Sequence, residues 1–202
     1  GAASRRTSPR KEIGMKKSAL VTACLLLCAC AHSYSGPAYY SLGDDINGRA
    51  ISAKQMSVDV GRIKIPEYMD RPQIVTTNGV SVNISQDDRW AENLSPMLGR
   101  RIMDGIRTRM TGASVKSTDF IGVPADYAVF IEIYRLDGNI PGQVQLDATY
   151  SINEQGGNTL RTRRVQYDTE CGDSYADYVH SMGVLVDMLS RDISRDLSRL
   201  EK

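Results

Sequence analysis

Two periodicities alternate along the chain. Val58 and Val60, then Ile63 and Ile65, alternate at strand spacing in opposite phase around Gly61, so a strand with a one-residue bulge is expected over residues 58–65. Pro66 ends it, and residues 66–72 read as a compact turn bracketed by two prolines. Residues 74–77 and 80–85 flank Asn78-Gly79, which predicts a β-hairpin with a type I′ turn and Val80, Val82 and Ile84 on its buried face. Met97/Leu98, Ile102, Ile106 and Met110 then recur at helical spacing, with Ser95 as the expected N-cap and Pro96 in the first turn. A loop is expected from Val115 to Pro124. Strands follow over 127–136, about Val144 to Ile152, and 160–168, with Val129, Ile131 and Ile133 facing one way and Phe130, Glu132 and Tyr134 the other. From Tyr175 to Leu200 the period is helical again, capped by Asp173 or Ser174. The apolar stripe runs through Tyr178, Met182, Leu185, Leu189, Ile193 and Leu197, with Asp187 and Asp192 off it.

This order predicts an α+β fold: a two-layer sandwich in which a mainly antiparallel sheet is packed by two amphipathic helices. A short aromatic strand is expected at 39–42.

The amino-terminal segment reads differently. Met15-Lys16-Lys17 precedes an uninterrupted apolar run that ends in small residues, the order of regions in a secretory signal peptide. The run is too short to span a hydrocarbon core, which needs ~20 residues. Leu27-Cys28-Ala29-Cys30 resembles a bacterial lipobox, which implies a diacylglycerol thioether on Cys30, cleavage before it, and acylation (palmitate type) of the new amine. Val21-Thr22-Ala23-Cys24 matches locally but would leave too short an apolar region. The organisation expected is therefore an upstream extension at 1–14, a lipoprotein signal peptide at 15–29, a lipidated tether at 30–37 rich in Ser, Gly and Pro, and a single domain at 38–202. Ala31, in place of an aspartate, suggests export to the outer membrane.

Composition narrows the function. Of 202 residues, 25 are basic and 24 acidic. The first 29 hold six basic residues and one acid, so the remainder carries 19 basic and 23 acidic side chains, net −4. An acidic globular part argues against a nucleic-acid partner. Two histidines and scattered cysteines provide no metal site, and no cofactor is expected. No GxSxG, HExxH or Walker loop occurs. Gly172-Asp173-Ser174 and His180 invite comparison with a hydrolase, but both fall at one helix start, where a cap and an exposed histidine are the simpler expectation. Asp87-Asp88 is expected to cap the first helix. Arg161 and Arg163 are expected on a solvated strand edge. Cys171 is expected to be an inert, semi-buried thiol.

Three segments carry a family resemblance: Tyr39-Tyr40-x-Leu42; Val60-x-x-Ile63-x-Ile65-Pro66-x-Tyr68-x-Asp70-Arg71-Pro72-Gln73-Ile74-Val75; and Arg89-Trp90-Ala91-Glu92-x-Leu94. With Cys30 and the meander-plus-helix second half, the chain resembles the ABC-type transport auxiliary lipoproteins of the PqiC type. The resemblance implies a non-enzymatic lipoprotein that faces the periplasm of a Gram-negative bacterium from the outer membrane. Its partner would be an MCE-domain periplasmic protein of a lipid-transport system important for membrane integrity, and it would form a homo-oligomer. Arg71, Pro72, Gln73, Trp90 and Glu92 match the family motif as partner-contact or structural residues, with Trp90 expected to clamp its segment to the sheet. The alternative from another class is an outer-membrane assembly lipoprotein that plugs a β-barrel for LPS insertion.

Overall fold

The computed structural model describes residues 36–43, 46, 48–117 and 124–200. The signal peptide, Cys30 and nearly all of the tether lie outside the described residues, as does most of the loop before Pro124. The fold is that of the unit beginning at Pro37.

Among the described residues, eight strands and two helices follow in the order β1 (Ala38–Tyr40), β2 (Met56–Val60), β3 (Gln73–Asn78), β4 (Ser81–Trp90), α1 (Leu94–Arg109), β5 (Ala113–Ser117), β6 (Tyr127–Gly138), β7 (Gly142–Glu154), β8 (Thr159–Cys171) and α2 (Tyr175–Ser198). The α+β class and the two amphipathic helices match the periodicity. The strands divide into two sheets, one of five in the order β5-β2-β6-β7-β8 and one of three in the order β1-β4-β3. The β6-β7-β8 meander is antiparallel, as its alternation and short turns dictate. By contrast, β5-β2-β6 is parallel. Parallel neighbours require a long crossover, and α1 lies in the one between β2 and β5. Val115 thus belongs to an edge strand and not to the expected loop.

The bulge at Gly61 is present. Val60 pairs with Val129 and Lys64 with Glu132, so four steps on one strand match three on the other. The hairpin differs from expectation. Asn78 pairs with Ser81, which leaves Gly79-Val80 as the two turn residues. Gly79 has φ +61° and, among the described residues, no non-glycine residue has positive φ, the pattern of a turn with glycine at its first central position. Val80, Val82 and Ile84 are exposed, not buried, because no element among the described residues covers the hairpin there. Between Ile84 and Arg89 β4 carries extra residues, and Asp88 accepts hydrogen bonds from Tyr40 Oη (2.9 Å) and Ser85 Oγ (2.8 Å). Asp87 and Asp88 therefore belong to a strand and do not cap α1. Nor does Ser95: α1 begins at Leu94 after Asn93, and Ser95 Oγ instead donates to the Ile63 carbonyl (2.6 Å).

The core lies between the five-stranded sheet and the helices. Val129, Ile131, Leu146, Tyr150 and Ile152 face Leu98, Ile102, Leu185 and Leu189 within one cluster. Tyr178 ties the two sheets together, since its buried hydroxyl accepts from Gly138 N (3.2 Å) and donates to the Val75 carbonyl (2.9 Å). Buried Asp137 does the same, accepting from Thr77 Oγ1 (2.8 Å), Arg135 Nε (2.8 Å) and Tyr68 Oη.

The helices touch closely at Gly105, where an added Cβ would lie 2.3 Å from Ser190 Oγ and 2.7 Å from Ser190 Cβ. Gly105→Ala is therefore expected to cost about 1–3 kcal/mol despite alanine's better helix propensity, as measured by urea unfolding. Unchanged or raised stability would contradict this packing.

Candidate functional site

The two most specific motif segments converge. The Pro66–Pro72 turn is closed by Met69 N to the Pro66 carbonyl (3.0 Å) and Asp70 N to the Glu67 carbonyl (3.2 Å). It delivers the chain to β3, where Gln73 pairs with Arg89. Trp90 N donates to the Pro72 carbonyl (2.7 Å), and Ala91 N donates to the Tyr40 carbonyl (2.8 Å). One junction thus gathers Pro72, Gln73 and Trp90 with β1. The Trp90 ring is 4% exposed and belongs to the core, while Pro72 is exposed and Arg71 and Gln73 are half-buried. Glu92 lies on the surface and pairs with Arg100 of α1.

Next to this junction an open groove of about 730 Å³ runs between α1 and the β2–β6 region. Val60, Ile63, Pro96, Met103 and Phe130 supply its apolar lining. Asp70, Arg62 and Arg100 add charge of both signs, and Arg100 is the residue that Glu92 holds. The spacing of apolar positions could not reveal this groove, because its lining comes from five separate stretches of chain. Such a surface can seat an apolar segment with a charged flank.

Several titratable side chains elsewhere are engaged with one another. Arg161 and Arg163 lie exposed on the edge strand β8, as expected, and also approach buried carboxylates of α2. Each lies 3.8 Å from Asp196, and Arg163 lies 3.2 Å from Asp192. Tyr150 Oη donates to Asp196 (2.7 Å) and Tyr167 Oη to Asp192 (2.8 Å). Asp192 and Asp196 are buried because α2 is covered on one side by β7 and β8 and on another by α1. These acids steady the helix against the sheet. Ser174 forms a capping box with Asp177: its Oγ accepts from Asp177 N (3.1 Å) and donates to the Asp177 carboxylate (2.6 Å). His180 is exposed, as expected. Cys171 is a free, buried thiol whose pKa is raised chiefly by burial. Among the described residues no three His, Cys, Asp or Glu side chains are grouped to hold a metal, and no helix is long and apolar enough to cross a membrane.

Burial raises the phenol pKa values of Tyr68, Tyr150, Tyr167 and Tyr178 well above the ordinary value. For the first three, a hydrogen bond to Asp137, Asp196 or Asp192 adds to this. The neutral phenols stabilise the fold fully below the unfolded-state pKa of about 10, and this contribution is lost as pH rises through the higher folded values. Absorbance titration should therefore show these four tyrosines ionising only with alkaline unfolding. Reversible ionisation of all the tyrosines near pH 10 would contradict the burial.

Residues 40–194 match the family model of the ABC-type transport auxiliary lipoprotein component. No match is found among curated proteins. Solved structures share the fold. One, an uncharacterized protein, is 19% identical, with 81% of this chain and all of that chain covered and a TM-score of 0.68. Protein XCC0632 from Xanthomonas campestris is 10% identical, with coverage of 80% and 91% and a TM-score of 0.61. A PelC dodecamer from Paraburkholderia phytofirmans is more distant, at 10% identity, coverage of 73% and 92%, and a TM-score of 0.45.

Proposed function

Because the chain belongs to the ABC-type transport auxiliary lipoprotein component family, we propose that it is a lipid-anchored, non-enzymatic accessory subunit of an MCE-linked envelope transport system. In this reading Cys30 carries the acyl chains and holds the protein at the outer membrane, facing the periplasm. The folded unit receives an MCE-domain protein of the same system and supports the passage of lipids or other hydrophobic compounds between the membranes. A homo-oligomer is part of the proposal.

One observation supports this reading above the others: the two motif segments meet beside the groove between α1 and β2–β6. Asp70 from the first segment and Arg100, held by Glu92 of the second, both border it. The junction built on Trp90 would set the groove's shape, and the charged border would choose the partner's orientation.

The test is affinity purification from cross-linked envelopes of the native host. The tagged protein should recover an MCE-domain protein, and Phe130→Glu, which places a charge on an exposed groove residue, should lower recovery roughly tenfold or more. Recovery of an outer-membrane β-barrel in place of the MCE-domain protein would refute the proposal in favour of the assembly-lipoprotein alternative.

A further inference from the structure

The β3–β4 hairpin leaves an apolar face uncovered. Val80, in the turn, is 102% exposed, Val82 50% and Ile84 47%, and alternation puts Val82 and Ile84 on one side of β4. From Pro72 to Gln86 the chain has no charged side chain. An exposed strand edge is normally protected by charge, proline or a covering element. Here β1 pairs only with Asp88–Trp90, so β4 has no strand neighbour on that side over Ser81–Asp87 among the described residues.

The direction of the chain indicates what covers this face. β1 runs parallel to β4 with Ala38 opposite Asp88. Residues preceding Ala38 therefore leave on the side from which β4 arrives, which is the side of the hairpin. Eight residue-to-residue steps lead from Cys30 to Ala38, and eight from Val80 to Asp88. At ~3.3–3.6 Å per extended residue, the tether reaches no farther than roughly 29 Å, about the length of β4 up to its turn. A protein held at Cys30 on so short a leash keeps its hairpin end near the membrane surface. Tyr39, exposed on β1, adds an aromatic ring of the kind favoured at membrane interfaces.

We propose that the Val80–Val82–Ile84 face enters the headgroup–acyl boundary of the bilayer that holds the acyl chains of Cys30. This rests on the lipid anchor proposed above. The insertion is shallow, because the unpaired backbone groups of β4 must remain hydrated. Acyl chains alone leave the domain free to swivel, and a second apolar contact fixes which face turns to the periplasm.

The full-length lipoprotein is made with Val82→Cys in a Cys171→Ala background, labelled with an environment-sensitive fluorophore and reconstituted into vesicles of phosphatidylethanolamine and phosphatidylglycerol. Leu160→Cys, an exposed apolar position in the other sheet, is labelled in parallel. The probe at residue 82 should lose most of its emission to a shallow lipid-borne nitroxide and little to aqueous iodide, while the probe at 160 does the reverse. With acylated Cys30 confirmed by mass, a residue-82 probe open to iodide overturns the hairpin claim alone. A probe shielded from both quenchers also overturns it, since a second copy or a protein partner then covers the face. An unmodified Cys30 overturns both the hairpin claim and the anchor.

Discussion

Truncating Trp90 to alanine is expected to lower folding stability by about 3–5 kcal/mol. The ring is 4% exposed, and the backbone around it joins three segments: β1 through Tyr40, β3 through Pro72, and the approach to α1. Removing the ring leaves a void where these segments meet, and the pinned backbone cannot easily collapse into it. For a domain of this size the loss corresponds to a fall in Tm of roughly 6–20 °C, read by circular dichroism because Trp90 is the chain's single tryptophan. Trp90→Phe should cost much less. A Trp90→Ala protein with unchanged Tm but weakened MCE-protein recovery would instead make Trp90 a contact residue.

Asp187→Ala should cost a comparable amount, about 3–5 kcal/mol. The Arg109 side chain is 2% exposed at the end of α1, and Asp187 of α2 grips it with both carboxylate oxygens, at 2.9 and 2.7 Å. Arg109 also donates to the Gly105 carbonyl (3.0 Å) and Ser190 Oγ (3.3 Å). Removing the carboxylate strips the buried guanidinium of the bidentate partner that joins it to the facing helix. The effect should survive high salt, since a buried pair is poorly screened. Replacing both partners with apolar residues, Arg109→Met with Asp187→Leu, should recover most of the loss in urea unfolding. A single Asp187→Ala variant as stable as the parent would show that the pair does not hold the helices.

The sequence revealed the elements better than their partners. Alternation in 127–136 and 144–152 and the stripe from Tyr178 to Leu197 correctly identified buried faces, because each of those segments is long and one-sided. The same reasoning failed at Val80, Val82 and Ile84. Alternation shows that a strand has an apolar face, but it cannot show that anything covers it. The turn was placed one residue early as well, a slip to which a side-chain period of two is sensitive. Asp192 and Asp196 were missed for the opposite reason. A single stripe describes a helix buried on one side, whereas α2 is covered on two, and its acids are buried by virtue of Tyr150, Tyr167 and Arg163. β5 was hidden because five residues of edge strand acquire their identity only by pairing with β2. The motif segments were legible as a pattern, yet their meeting at one groove required the fold. Pairing across the Gln73–Arg89 register brings them together, and no spacing along the chain encodes it.

In the proposed function a fatty anchor at Cys30 positions a docking domain. The decisive experiment is mass spectrometry of the amino-terminal peptide, from protein purified out of its native host. The mature chain should begin at Cys30 and carry a diacylglycerol thioether and an acylated amine. A mature protein with a free thiol at residue 30, or one cleaved after it, would refute the anchor.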